Sequence, residues 1–169
     1  MKSIHNGWYV LYVKCHHERK VFDGLGHLSI RAFLPTIEVP SKRTDRKKSI
    51  QKLLFPSYVF VKINSSLEFY KTLSVNGACM YIRFGMEYAK VSDDEMRKIE
   101  LLLLNNDITE IETHVEEFKV GDFKTISYGS LSGLECEVLN TNNTNKIVVR
   151  IDSLQKNITA TIPSYYLQN

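Results

Sequence analysis

Four stretches of this chain carry residue types that could do chemistry. "CHHE" (Cys15, His16, His17, Glu18) sets a thiol, two imidazoles and a carboxylate side by side, a donor set that suits a metal ion. Consecutive residues point in different directions, however. No second Cys or His pair supplies the C-x2–4-C or H-x3–5-H spacing of a built site. The cluster predicts a solvated turn leading into a helix. Cys79 would need a base to act as a nucleophile, and no signature pairs it with one. Asp93, Asp94 and Glu95 resemble a carboxylate group for acid–base work, but their place explains them otherwise. Ser92 and Glu95 have the spacing of a capping box, and the two aspartates favour the positive end of the helix that follows. Gly24 and Gly26 are too few for G-x-G-x-x-G, and no G-K-[ST] exists. The residues therefore argue against an enzyme and against a metal ion or cofactor.

Two further stretches read as contact surfaces. Residues 41–52, "SKRTDRKKSIQK", hold Lys42, Arg43, Arg46, Lys47, Lys48 and Lys52 against the single acid Asp45. They interrupt two strands, so the cations would project from a rigid base toward phosphates, without aromatics to read bases. Residues 54–63, "LFPSYVFVKI", are apolar on both faces of an extended strand, where one wet face would demand alternation. Trp8 and Tyr12 in "GWYVLYVK" share a parity, as do Tyr58 and Phe60. If the two strands are neighbours, one sheet face carries an aromatic cluster. Such a face is either core beneath helices or an anchor for a protein partner.

The elements that must position these groups follow from periodicity. Residues 7–14 predict a strand, and residues 16–28 a helix with Val21, Leu25 and Leu28 at helical spacing. Residues 32–39 predict a strand interrupted by Pro35. A third strand covers 54–63. A helix at 66–77 places Leu67, Tyr70 and Leu73 on one face and ends at Gly77. A strand at 79–84 and a helix at 91–106 with a Met96, Ile99, Leu102, Leu103 stripe complete an α+β unit, one antiparallel sheet flanked by helices. Residues 106–117 are polar and acidic and read as a linker. From Phe118 onward four short β-type runs separated by Gly, Asn and Asp turns predict a small all-β barrel. The expected domains are thus 1–105, a linker at 106–117, and 118–169.

Bulk properties agree with a folded, two-part chain. At 169 residues, 43% hydrophobic and 24% charged, it is not disordered throughout. No apolar run reaches the roughly 18–20 residues that span a bilayer, and the N-terminus lacks a signal-peptide pattern. Three scattered cysteines suit a reducing, cytoplasmic setting. Residues 1–105 hold 17 Lys/Arg against 10 Asp/Glu, and residues 106–169 hold 5 against 9. A basic half joined to an acidic half predicts different partners, a polyanion for the first.

The motifs "WYVLYVK", "LFPSYVFVKI", "YIRFG" and "KVGD…G…SGLECEVL", in that order, resemble the NusG family of transcription elongation factors over residues 7–167. The first three fall in what looks like the family's N-terminal domain, and the last is similar to its KOW domain, an SH3-like barrel. Ser57 stands where the general factor usually has Gly. The stretch "RTDRKKSIQKLLFPSYVFVKI" is similar to specialised antiterminators of the UpxY and RfaH types, the former regulating capsular polysaccharide operons.

The resemblance implies a mechanical role without catalysis. The aromatic face would lie on the clamp helices of the RNA polymerase β′ subunit through Trp8, Tyr12, Tyr58, Phe60 and Phe84. Tyr70 and Thr72 correspond to a contact with the β gate loop. Lys14 and Lys20 correspond to contacts with the non-template DNA strand, which the basic residues 42–48 would extend; Asn76 stands where relatives have an Arg. Bridging the clamp would suppress pausing or termination. The C-terminal barrel would reach ribosomal protein S10 or Rho and, with its Ile/Val/Thr-rich strands, keep its β form. The chain is taken to act as a cytoplasmic monomer. The alternatives are a general NusG-like factor acting on all genes, and a KOW-containing ribosome- or RNA-binding protein.

Overall fold

The computed structural model describes residues 6–40, 49–105, 107–114, 121–127, 129–141 and 144–167. In chain order these form β1 (Gly7–Val13), α1 (Glu18–His27), β2 (Ala32–Phe33), β3 (Thr36–Pro40), β4 (Ser49–Leu53), β5 (Tyr58–Ile63) and α2 (Ser66–Thr72). The short strands β6 (Ala78–Tyr81), β7 (Arg83–Phe84), β8 (Glu87–Tyr88) and β9 (Lys90–Val91) precede α3 (Asp93–Leu104). Then come β10 (Thr109–His114), β11 (Asp122–Thr125), β12 (Glu135–Thr141), β13 (Thr144–Ile151) and β14 (Lys156–Thr161). The result is an α+β fold of antiparallel sheets with three helices among the described residues. None of those helices is long and apolar enough to cross a membrane.

Two compact units arise, Met1–Pro35 with Phe55–Asp93, and Thr36–Leu54 with Asp94–Asn169. The first is built on a sheet of order β2-β5-β1-β6, with β9 paired to the start of β1. Strand β1 runs antiparallel to β5, matching Trp8 with Lys62, Val10 with Phe60 and Tyr12 with Tyr58. The parity read from the sequence therefore holds. Tyr9, Leu11, Val13, Val59, Val61 and Ile63 share one face and form the core with Val21 and Leu25 of α1 and Phe69 of α2.

Local sequence explains how the helices settle on that face. Val21 and Leu25 lie four apart and so share one stripe of α1. Gly24 is a packing requirement, since a β-carbon there would lie 2.8 Å from Val75 Cγ1. Helix α2 starts at a cap that the sequence reading passed over. Ser65 Oγ accepts from the Glu68 N–H, and the Glu68 carboxylate accepts from the Asn64 N–H. Its buried face is Phe69 and Thr72 rather than the expected Leu67, Tyr70, Leu73 stripe, which is exposed. Phe69 wins because it stacks on Tyr81, ring centroids 3.9 Å apart, and meets Tyr9 and Tyr88 edge-on.

The second unit holds a five-stranded antiparallel sheet of order β10-β14-β13-β12-β11, the β3–β4 pair and α3 from Asp94 on. Ile147, Val148, Val149 and Ile151 of β13 are buried on both faces, as a central strand requires. Arg150 grips the buried Glu137 on the neighbouring strand with two bonds, 2.5 and 3.1 Å. Met96, Ile99 and Leu102 are the buried stripe of α3, with Leu103 only half-buried. Lys98 of α3 is forked between Asp94 and Glu135, 3.0 Å from each. The Glu95 carboxylate accepts the Ser153 N–H at 2.9 Å.

Two further expectations change. The strand at 32–39 divides at Pro35 into β2 and β3, which join different sheets. The stretch 106–117, expected as a linker, contains β10 paired with β14, because Thr109–His114 alternates Ile111 inward with Glu110 and Glu112 outward. Lys42, Arg43, Arg46, Lys47 and Lys48 lie outside the described residues; the strands on either side, β3 and β4, pair with each other.

Candidate partner-docking surface

On the face of the first sheet turned away from its α1–α2 core stand Trp8, Val10 and Tyr12 of β1, and Tyr58, Phe60 and Lys62 of β5. Met80 of β6 lies opposite Tyr12 in register. Burial grades along this face. At one end Val10 and Phe60 are fully buried, and the Phe60 ring meets Phe33 and Phe55 at 6.3 and 5.4 Å. Trp8 is 5% exposed; Arg31 and Lys62 lie over its ring at 5.4 and 5.5 Å. Lys62 in turn bonds Asp93 at 2.8 Å and holds that carboxyl below its ordinary range.

At the other end the face is open. Tyr12 is 40% exposed, Tyr58 is half-buried and Met80 is 60% exposed, so three neighbouring strands present one apolar row. The Tyr12 and Tyr58 rings meet edge to face, 6.3 Å apart. Burial, and then the neighbouring Tyr12 phenol, push the Tyr58 phenol above its usual range. Phe84, at the β7–β8 turn, is also exposed, with Met86 beside it.

Three of the expected contact residues are buried. Phe60 and Trp8 are interior side chains that support the row rather than anchors that leave it. Thr72 is fully buried: its hydroxyl donates to Phe69 O at 2.8 Å and meets the Tyr81 hydroxyl, which itself donates to Phe69 O. A residue so engaged has no face for a partner. Tyr70, two residues before Thr72 and so on the outer side of α2, is 55% exposed.

Lys14 and Lys20 are exposed on either side of the turn into α1, and Asn76 is exposed. Within "CHHE" the outcome is mixed. His17 Nδ1 lies 3.2 Å from Cys15 O, and Cys15 and His16 face solvent. Glu18, expected in a solvated turn, is buried and accepts the Ser57 N–H at 2.9 Å. Among the described residues no three His, Cys, Asp or Glu side chains are grouped to hold a metal ion. Sequence reasoning missed Met80 and Glu18. Register with Tyr12 would have found Met80; nothing local announces Glu18, whose partner is 39 residues away.

A family model described as "Transcription termination factor nusG" matches residues 6–100. Among solved structures, one titled "Domain interaction in Thermotoga maritima NusG" is similar at 23% identity and a TM-score of 0.51, covering 93% of each chain. At that identity the likeness speaks for the fold. The structure titled "Crystal Structure of MjSpt4:Spt5 complex conformation A" is similar at 10% identity and a TM-score of 0.34, covering 92% of this chain and 93% of that one. No curated protein matches this chain.

Proposed function

The chain belongs to the NusG family of transcription factors, and from that premise we propose that it binds elongating RNA polymerase through the open row Tyr12, Tyr58 and Met80. The observation that carries this reading is the exposed aromatic edge on a sheet face whose other side is filled by core. The partner proposed is the β′ clamp helices, with Phe84 at the margin of the contact and Tyr70 toward the β gate loop. Lys14 and Lys20, both exposed, would meet the non-template DNA strand. Lys42, Arg43, Arg46, Lys47 and Lys48 are assigned to the same strand on sequence alone.

The mechanism is a population shift. A factor that binds the closed clamp more tightly than the open one lowers the share of pause-prone polymerase. A differential affinity of about 1.4 kcal/mol changes the closed/open ratio roughly tenfold. Aromatic anchors worth about 2 kcal/mol each supply that. The domain division at 1–105 and 118–169 belongs to the same proposal. The antiparallel C-terminal sheet supports a KOW-type domain there, whose partner would be ribosomal protein S10 or Rho.

Action at selected operons, such as capsular polysaccharide loci, rests on the likeness of residues 43–63 to specialised antiterminators. Mapping of chromosomal occupancy separates it from a general factor: few loci are expected, and occupancy on all transcribed genes would leave only the general role. The docking proposal is tested with purified core polymerase and the full chain. A complex is expected that a Tyr12→Ala/Tyr58→Ala variant loses, whereas equal binding by both proteins would overturn it.

A further inference from the structure

The turn that launches β5 adopts a conformation its own sequence does not favour. Tyr58 N–H donates to Phe55 O at 3.2 Å, closing a four-residue turn with Pro56 second and Ser57 third. Ser57 has φ +64, the left-handed region. Proline second and positive φ third define a type II turn, which asks for glycine where serine stands. The competing type I turn would let Ser57 relax to negative φ. The two types differ by a flip of the central peptide, whose N–H is that of Ser57.

That N–H is claimed from outside the turn. Glu18 Oε1, on the first residue of α1, accepts it at 2.9 Å, and Glu18 is only 4% exposed. The Ser57 carbonyl is held in turn by the Val13 N–H at 2.9 Å. A charge-assisted bond to a buried carboxylate is strong, and breaking it strands the acid. After a flip to type I the N–H would point away from Glu18.

We infer that Glu18 is a positioning residue: by holding the Ser57 N–H it selects the left-handed turn and pre-organises Tyr58, the next residue, for docking. The inference rests on the proposed polymerase contact only for its affinity readout. It gives the buried acid of "CHHE" a task at the docking row, and it explains how serine is tolerated at a glycine position.

The test uses the full chain with Glu18→Ala, Glu18→Gln, Ser57→Gly, the double variant Glu18→Ala/Ser57→Gly, and Tyr58→Ala. Glu18→Ala should weaken core-polymerase binding by about tenfold, the order of one charge-assisted hydrogen bond. Glu18→Gln keeps an acceptor oxygen and should bind nearly as the wild type does. The double variant should recover most of the loss, because glycine takes positive φ unaided. A general loss of packing would not respond to Ser57→Gly. Full binding by Glu18→Ala, or failure of both rescues, overturns the inference. If Tyr58→Ala binds normally, the docking reading falls instead, and the turn is then read directly. The wild-type Ser57 amide should exchange slowly and show the strong intraresidue HN–Hα NOE of positive φ; fast exchange or the weak NOE of negative φ overturns the inference even where Glu18→Ala fails to fold.

Discussion

Tyr58 and Phe60 sit two residues apart on one strand and point to the same side, yet one ring lies at an open edge and the other is sealed between Phe33 and Phe55. Their substitutions should separate accordingly. Phe60→Ala is expected to cost about 3–5 kcal/mol of stability in a denaturant titration. Tyr58→Ala should cost far less there and show its effect in partner binding. Ser57→Gly should raise stability by about 0.5–1 kcal/mol, since relief of left-handed strain exceeds the added freedom of the unfolded chain. The thiols also divide. Burial pushes Cys136 up to about 11 from 9.0, with Lys124 pulling weakly the other way. Folding therefore favours the neutral thiol. Its contribution is whole below pH 9.0 and is lost as pH rises toward about 11. Alkylation of the native chain should mark the exposed Cys15 and Cys79 and spare Cys136. Denaturation midpoints on either side of that window should fall with rising pH, and less so for Cys136→Ala.

At the scale of elements, Phe69 is the test of α2. Its ring stacks on Tyr81 and meets Tyr9 and Tyr88, so Phe69→Ala should cost about 3–5 kcal/mol, read as a lowered unfolding midpoint. Leu67→Ala on the exposed side should change stability little. This helix also shows where sequence legibility stops. Seven residues allow two apolar stripes, and only the aromatic ring waiting across the sheet chooses between them. Strand β1 and, from Tyr58 on, β5 were legible because each carries an apolar run with a fixed parity; residues 54–57, expected in the same strand, lie before it, with the Phe55–Tyr58 turn leading in. The helix start at 93 was legible from local chemistry, Ser92 preceding it; the first helix was legible only as a spacing, and it begins at Glu18 rather than at residue 16. Strand β10 was not, since "TEIETH" offers a single apolar side chain and its pairing with β14 is made across more than forty residues. Of the candidate site, the aromatic row was readable as a parity. Which of its members stay open was not, because burial is decided by neighbours such as Phe33 and Phe55 that the strand itself does not reveal.

Across the whole molecule, compactness does not follow one cut in the chain. Residues 36–54 and α3 from Asp94 on group with the C-terminal sheet. Asn105, the residue after α3, bonds within that grouping: its amide donates to Ser130 Oγ at 2.6 Å and to the Tyr166 hydroxyl at 3.0 Å, while its oxygen accepts the Asp107 N–H. Asn105→Ala removes one donor from the buried Tyr166 hydroxyl, which keeps its bond to Ser130, and should cost about 1 kcal/mol. A fragment starting after residue 105 should be less stable than the same sheet in the full chain. The central claim, that the open row meets RNA polymerase, is tested most directly by site-specific photo-crosslinking in reconstituted elongation complexes. A photoreactive phenylalanine in place of Tyr12 should cross-link to the polymerase β′ subunit, whereas the same group in place of Leu28, exposed just past the end of α1, should not. Labelling of β′ from neither position, or from Leu28 alone, would contradict the account.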